Sequence, residues 1–325
     1  MSQAAPPIST PQDPEPNPEP NPEPKPVQNP AQNPVKGILW MLLTGVLFVG
    51  VTATVKVGGG RIPAAESAFL RYALGLVFLI PMWPVLRKVR LDRAMIGIAA
   101  VRGLIHAIGV MFWFYAMTQI TMAEVTAINY LNPVFVTLGA ALFFGERLAA
   151  RRILAVIFAL MGAMVVLRPG VRAIEAGHLA MFGTAILFAA SYLIVGKLVE
   201  RYNAVTVVAM LSVTVTIALA PFALLHWVTP TMQELAWLFA TAAFATAGHY
   251  SMTRAFASAP MTVTQPVTFL QLVWSVALGA LLFSEGVDVF VVAGGAIILA
   301  SVTFITWREA VLKRRVTPNT NATKV

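Results

Sequence analysis

Polar side chains interrupt the long apolar runs of this chain at a few places, and residues 123–133, AEVTAINYLNP, form one of them. Glu124, Asn129 and Asn132 stand there among Val, Ala, Ile and Leu. A carboxylate can pair with a cation or carry a proton, and an amide can bind a solute by hydrogen bonds. Because Asn129 and Asn132 are three residues apart, they share one face of a helix. We predict that both amides line a cavity; simple hydrogen bonding between helices is the alternative.

A second polar stripe recurs at steps of four, three and four residues, and its members are Arg102, His106, Gly109 and Trp113. This spacing also defines one helical face. A charge inside a membrane is costly and usually faces a cavity or a partner. In a cavity, Arg102 would supply charge, His106 a hydrogen bond or a proton, and Trp113 a stacking surface. The alternative is an interior ion pair with ordinary packing.

Two opposite charges, Arg71 and Glu124, fall at similar depths of the predicted spans. We expect either a structural ion pair between them or a role in coupling or gating. Lys56, Arg61 and Glu66 fall near the predicted outer surface, where we expect them to be solvated.

The composition indicates lipid as the solvent for most of the chain. Of 325 residues 58% are hydrophobic and only 11% are charged, with a mean hydropathy of +0.76, whereas soluble domains are about 25% charged. The absence of cysteine excludes disulfides, thiolate metal sites and a cysteine nucleophile. The net charge of +9 does not indicate nucleic acid as a partner, because the basic residues lie in short runs between apolar spans.

The two ends of the chain differ from the rest. Residues 1–35 hold 12 of the 22 prolines and almost nothing apolar, which predicts a disordered, proline-rich cytoplasmic tail. Residues 308–325 are predicted to form a basic cytoplasmic tail.

A spanning helix needs roughly 20 mostly apolar residues, and the apolar windows predict an all-α integral membrane protein. The ten expected helices lie near 37–57, 64–85, 94–116, 121–144, 152–168, 177–197, 204–226, 233–251, 262–283 and 287–307. With the amino terminus inside, 17 of the 23 Lys and Arg residues fall in inner segments and 3 in outer loops. This bias predicts that both termini are cytoplasmic.

The chain also repeats itself. A shift of 139 residues aligns 115–146 with 254–285 without a gap, including the closing Phe-x-Glu of each segment. Each half, 36–170 and 171–307, holds five helices, and an odd number makes the second half enter the membrane from the opposite side. Two inverted five-helix repeats are typical of transporters, whose substrate sites lie near the midplane between the halves.

The repeat pairs Asn129 with Thr268 and Asn132 with Gln271, so an amide from each half is expected to face the pseudo-twofold axis. Pro133 is predicted to kink its helix. Tyr130, Tyr192 and Trp274 lie deep enough to stack on a planar ligand, with lipid-facing packing as the alternative. Gly162-Ala163 and Gly294-Gly295 predict close helix packing, and a homodimer face is one use of it.

At the level of motifs the sequence resembles the drug/metabolite transporter superfamily in its EamA-type ten-helix form. The resemblance covers about residues 37–307. The residues that carry it are Phe69-Leu70-Arg71-Tyr72, the run from Tyr115-Ala116-Met117 through Ala123-Glu124-Val125-Thr126-Ala127-Ile128 to Pro133, Gly145-Glu146-Arg147 and Phe283-Ser284-Glu285. The resemblance implies secondary transport across a bacterial inner membrane without ATP or another cofactor, and no phosphate-binding GxxxxGK[ST] loop occurs.

Within the substrates that the resemblance implies, the aromatic and amide-rich lining favours a flat, neutral or zwitterionic solute. Uptake of riboflavin is the first hypothesis and uptake of S-adenosylmethionine the second. Export of amino acids or amphiphilic drugs is the functional alternative. A membrane-embedded enzyme is the remote one, because the four His residues are scattered over the chain at His106, His178, His226 and His249.

Overall fold

The computed structural model describes residues 33–58, 60–144, 150–171, 173–199, 201–259 and 264–316. Most of the predicted proline-rich tail and the second half of the predicted basic tail, 317–325, lie outside the described residues. The described secondary structure is helical, as predicted. The helices are α1 Pro34–Gly58, α2 Ala64–Gly75, α3 Arg93–Gln119, α4 Met122–Asn129, α5 Asn132–Phe144, α6 Ala150–Leu167, α7 Ala176–Val199, α8 Ala204–Leu225, α9 Met232–Ser258, α10 Phe269–Phe283 and α11 Val289–Val316.

Short polar residues in the loops start several of these helices. The side chain of Asp92 accepts a hydrogen bond from the amide of Ala94 at the start of α3, and Asn203 does the same for Thr206 in α8. Helices α4 and α9 begin with complete capping boxes, in which a threonine and the glutamate three residues later satisfy each other's backbone amides. Such caps fix where each span begins.

The lengths of the helices agree with a chain that crosses a membrane many times. Six described segments are long and apolar enough to span, and three shorter apolar helices lie at 152–167, 270–283 and 289–305. The apolar part of the last helix ends at Ile305, close to the expected end of the span near residue 307, while α11 itself continues to Val316 into the basic segment. An α-helix can extend beyond the apolar segment, since its backbone hydrogen bonds are internal.

The most extensive helix contacts join the two halves of the chain and follow the repeat. Helix α1 packs on α9, and its repeat equivalent α7 packs on α3. The contact between α3 and α8 is repeated in the other half as the contact between α9 and α2. Likewise, the contact between α5 and α7 is repeated as the contact between α10 and α1. Helix α2 packs on its own repeat equivalent, α8, and helix α6 packs on its own repeat equivalent, α11. The halves therefore interlock around a pseudo-twofold axis.

Three spans are interrupted. The second continues from α2 as a 3₁₀ segment, Leu76–Met82, that contains Pro81. The fourth is divided into α4 and α5 by a two-residue turn, 130–131, just before Pro133, where the kink is predicted. A 3₁₀ segment, Gln265–Thr268, precedes α10 on the other side of the pseudo-twofold axis. Interrupted helices in both halves are a feature of transporter binding sites.

The glycines predicted to pack helices closely do so within the chain. A Cβ built on Gly162 of α6 would lie 2.8 Å from the carbonyl oxygen of Gly294 of α11, and one on Gly295 would lie 3.2 Å from Ala127. These faces are occupied by helices of the same chain, so the glycine pattern does not supply a homodimer face. A homodimer remains a prediction without this support.

Candidate functional site

The stripe on α3 points into the helix bundle at its first two positions. Arg102 is 6% exposed and His106 is 8% exposed, although both stand in an otherwise apolar helix. They lie close enough for the charge of Arg102 to act on the imidazole. The prediction that these two residues share an interior face is confirmed. Trp113, two turns further along α3, packs partly buried against the apolar core and Phe114.

Two neighbours fix the ring of His106. Its Nε2 is 3.1 Å from the hydroxyl of Tyr72 on α2, and its plane stacks on Phe188 of α7 at 4.5 Å between centroids and 15° between planes. The Nδ1 atom of His106 is buried and has no hydrogen-bond partner in the structure. The imidazole is therefore held from two sides with one nitrogen left for a further partner.

Arg71 joins this group from α2 but does not form the predicted ion pair with Glu124. Its guanidinium carbon lies 4.1 Å from the centroid of the Tyr72 ring. Arg71 is also close enough for its charge to act on His106 and on His249 of α9. The side chains of Arg71, Tyr72, Arg102, His106, Phe188 and Tyr192 are called the central polar cluster below.

Sequence reasoning did not place Tyr72, Phe188 and His249 among the site candidates, and the repeat contained a signal for one of them, Phe188. Phe188 is the equivalent of Phe48, and Gly109 that of Gly248. A Cβ on Gly109 would lie 2.9 Å from the Phe188 ring, and one on Gly248 would lie 3.1 Å from the Phe48 ring. Each half thus places a phenylalanine against a glycine of the other half. Each phenylalanine also lies beside a histidine: Phe188 stacks on His106, and the ring centroids of Phe48 and His249 are 5.1 Å apart.

Tyr192 of α7 completes the cluster on its exposed side. It lies close enough to Arg102 and Tyr72 to interact with both, yet it is 44% exposed. This exposure fits both a cavity lining and the lipid-facing alternative, so the role of Tyr192 in a cavity stays a prediction.

The broken fourth span contributes the predicted amides to the interior. Asn132 is buried, and the Oδ1 of Asn129 is buried without a hydrogen-bond partner. The hydroxyl of Tyr130 donates to the carbonyl oxygen of Thr268 at 2.8 Å, which ties this break to the interrupted helix of the other half. The tyrosine thus connects the two irregular backbone segments.

Other predicted residues are less central. Gln271 packs against α1, where a Cβ on Gly45 would lie 3.7 Å from the Gln271 Cβ. Trp274 is 42% exposed on a face of α10 that also exposes Leu270 and Val273, which is typical of lipid contact. The proposed facing of Asn132 and Gln271 and the role of Trp274 in binding stay predictions.

Glu124 has structural partners. It is 2% exposed and accepts hydrogen bonds from the amide and hydroxyl of Thr121 in the capping box of α4. Its other oxygen lies 3.3 Å from Nε2 of the buried His178 on α7. The amide of Glu175 donates to Nδ1 of His178, so in the neutral ring Nε2 carries the proton and donates it to Glu124. This carboxylate joins the two halves.

We call the end of the bundle that holds Lys56 and Glu285 the outer end, following the predicted orientation. Several polar contacts between the halves cluster there. Lys56 pairs with Glu285, whose second oxygen accepts from the amide of Met122 at the start of α4 at 3.0 Å. A carboxylate is stabilised at a helix amino terminus by its free amides.

Further contacts at the outer end connect the halves in the same way. Arg61 pairs with Glu234 at the start of α9, which raises the pKa of Arg61 through the charged hydrogen bond. Arg61 stays half exposed, as predicted. The prediction that Glu66 is solvated is wrong, because it is 0% exposed and accepts from the amide of Val228 at 2.8 Å. The buried amide needs this acceptor.

A shallow depression also opens at the outer end, with Thr54, Ser67 and Phe114 among its lining residues. Its lining includes one charged residue, Glu234, which pairs with Arg61. Within the part of the chain that the structure describes, no group of three His, Cys, Asp or Glu side chains is arranged to hold a metal ion. The chemistry of the central polar cluster is therefore that of hydrogen bonding, charge and ring stacking.

Comparison with known proteins defines the class. Residues 35–168 and 175–307 each match the EamA-like transporter family, and the chain belongs to this family, part of the drug/metabolite transporter superfamily. A solved crystal structure with 18% identity superposes over 87% of this chain and 99% of its own, with a TM-score of 0.54, which supports the fold.

Several curated relatives align over most of their lengths. The riboflavin transporter of Rhizobium johnstonii is 31% identical over 86% of this chain and 94% of its own. The pseudopaline exporter CntI of Pseudomonas aeruginosa is 27% identical over 82% and 94%. The S-adenosylmethionine uptake transporter of Rickettsia prowazekii is 26% identical over 85% and 94%. The chain is thus similar to multi-pass carriers of small metabolites, and their names differ in both solute and direction.

Proposed function

We propose that the protein is a secondary transporter that moves a small metabolite with a planar ring across the bacterial inner membrane. The observation that carries this proposal is the central polar cluster, in which His106 and Phe188 stack beside the exposed Tyr192 in the middle of the bundle. Flat aromatic faces favour a flat solute, since offset stacking adds to the burial of apolar area.

The arrangement of the halves supports alternating access. The contacts at the outer end join one half to the other, so they must break when the cavity opens to that side. Rocking of the two halves that is driven only by the gradient of the solute needs no ATP. The same geometry also allows this movement to be coupled to an ion gradient. The family and the relatives indicate a transporter rather than an enzyme.

Riboflavin uptake is the first candidate within this class, because the relatives named for riboflavin include one at 31% identity. Uptake of S-adenosylmethionine is the second, and its adenine ring also suits the stacked rings. Export of amino acids or amphiphilic solutes is the alternative, because one relative is named as a pseudopaline exporter.

The proposal is tested by expressing the chain in cells that cannot make riboflavin and measuring growth on trace vitamin together with uptake of labelled riboflavin. Growth and saturable uptake are expected if riboflavin is the solute. Unchanged uptake rejects riboflavin, and the same strain design with labelled S-adenosylmethionine then tests the second candidate. Cells that express Phe188→Ala serve as the comparison, because loss of the stacked ring should weaken uptake of either solute.

A further inference from the structure

The guanidinium of Arg102 is buried in the bundle with unsatisfied hydrogen-bond donors. Its Nε and Nη1 atoms are both inaccessible and have no partner in the structure. Arg102 is nine residues from the start of α3, about 14 Å along the helix axis at 1.5 Å per residue. It therefore lies near the middle of a hydrocarbon layer roughly 30 Å thick.

The surroundings of Arg102 supply polarity without negative charge. Its nearest interacting groups are the hydroxyls of Tyr72 and Tyr192 and the imidazole of His106. None of the ion pairs among the described residues includes Arg102 or Arg71. Two cations thus lie close to His106, and no acidic side chain of the described residues forms an ion pair with either of them.

The acidic residues of the apolar spans are committed elsewhere. Four acidic residues fall inside the predicted spans, and all lie towards the outer end: Glu66, Glu124, Glu234 and Asp288. Glu66 accepts from the backbone of Val228, and Glu124 accepts from Thr121 and His178. Glu234 pairs with Arg61, and Asp288 pairs with Arg168. The counter-charge for Arg102 must therefore come from outside these four carboxylates.

We propose, building on the transport function proposed above, that Arg102 binds a carboxylate of the transported solute. A guanidinium is a rigid fork that matches the two oxygens of a carboxylate. A buried, unpaired charge is costly in a membrane, and an arriving carboxylate offsets that cost when the cavity is loaded. Arg71 adds a second positive charge, and Nδ1 of His106 supplies a further polar contact.

The inference narrows the substrate class to small organic acids that also carry a ring. The acidic group would lie at Arg102, and the ring would lie against the aromatic side chains of the cluster. S-adenosylmethionine, which has a carboxylate, fits this class, whereas riboflavin has no acidic group to place there.

The test is a binding measurement on the purified full-length protein with pairs of probes that differ by one carboxylate. S-adenosylmethionine is compared with its decarboxylated form, and tryptophan with tryptamine. In at least one pair the acid should bind roughly 30-fold or more tightly than its partner, as expected for a buried charged pair. Arg102→Met should abolish that ratio, and Arg102→Lys should retain part of it because the charge remains.

Arg90→Gln is the matched control, since it removes an exposed arginine outside the bundle interior and should leave the ratio unchanged. If Arg102→Met does not fold, the ratio of the affinities for the acid and its decarboxylated partner is compared between the wild type and Arg102→Lys, and this comparison tests the inference. Equal binding within both pairs, failure of both acids to bind, or a ratio that survives Arg102→Met would overturn the inference. Transport of ring solutes regardless of their carboxylate would refute the carboxylate site while leaving the proposed function intact.

Discussion

Single side chains in this protein acquire their roles from what they contact rather than from their type. Glu124 and Arg102 are both charged residues in apolar spans, and the sequence placed both among functional candidates. The structure gives Glu124 three hydrogen bonds from Thr121 and His178, while the buried Nε and Nη1 atoms of Arg102 have none. A satisfied charge cross-links the fold, and an unsatisfied one is available to a solute.

Replacement of Glu124 separates a structural role from a proton-carrying one. Glu124→Gln keeps an acceptor oxygen for Thr121 but turns its NH2 group towards the Nε2–H of His178, so stability should fall, while uptake by the folded protein and its dependence on pH should match those of the wild type. Glu124→Ala leaves buried donors unpaired and should lower the free energy of unfolding by about 3 kcal/mol. Thermal unfolding and uptake between pH 5.5 and 7.5 measure both effects. Loss of uptake in a folded Glu124→Gln variant would instead assign the carboxylate to coupling.

The sequence located the inward stripe of α3 because helical periodicity and the rarity of charges in spans are both local signals. It could not pair Arg71 correctly. A predicted depth fixes the position along the membrane normal but not the rotation of each helix. Tyr72 and Phe188 were missed for the same reason, since an aromatic residue in an apolar span gives no sign of which face it occupies.

Among the helices, the interruption of the fourth span is the feature most directly encoded. Proline lacks the amide that would bond to the carbonyl four residues earlier, and the break falls just before Pro133. The break frees backbone at the level where Tyr130 meets Thr268. Sequence alone predicted a kink, but the extent of the break depends on this contact with the other half.

Pro133→Ala should restore helical hydrogen bonding across the break. We expect a protein that folds with a stability close to that of the wild type, because Pro133 lies in the first turn of α5, where proline is tolerated. Uptake should fall at least severalfold, since the backbone and amides near the cavity would shift. Parallel uptake and thermal unfolding measurements check this. Full uptake with raised stability would show that the interruption has no role in transport.

Close packing of α3 against α7 yields a second prediction for the helices. Gly109→Ala would bring a methyl group 2.9 Å from the Phe188 ring and should lower stability by about 1–3 kcal/mol through overpacking. Gly97→Ala on the same helix is the matched control, because nothing lies within 4 Å of its Cβ. Alanine should stabilise that position by up to about 1 kcal/mol. Equal effects of both changes on the thermal midpoint would contradict this packing.

For the whole molecule, the inverted repeat determines which helices meet. Helix α1 is equivalent to α7, and helix α3 is equivalent to α9. The contact between α1 and α9 and the contact between α7 and α3 are therefore two copies of the same contact. An odd number of spans in each half made this symmetry predictable from the sequence. The polar contacts at the outer end were not predictable, because Lys56 and Glu285 are 229 residues apart and belong to different halves.

These contacts predict how the outer end opens. Glu285→Gln weakens the pairing with Lys56 and the cap on α4, so the outer end should open more often. A cysteine introduced at the buried Ser67, in a chain that has no native cysteine, should then react several times faster with an impermeant maleimide added outside. Asp92→Asn, at the opposite end, is the matched control and should not increase labelling. Unchanged labelling in Glu285→Gln would mean that this pair does not keep the outer end closed.

The central claim is that the cavity between the halves carries a small ring-bearing metabolite without ATP. The most direct measurement is counterflow in proteoliposomes, in which vesicles loaded with unlabelled riboflavin or S-adenosylmethionine take up the labelled compound. We predict saturable, ATP-independent accumulation of one of these solutes, recovered chemically unchanged, and reduced accumulation in Phe188→Ala. Flux no greater than in protein-free vesicles for both solutes, or recovery of a converted product, would contradict the claim.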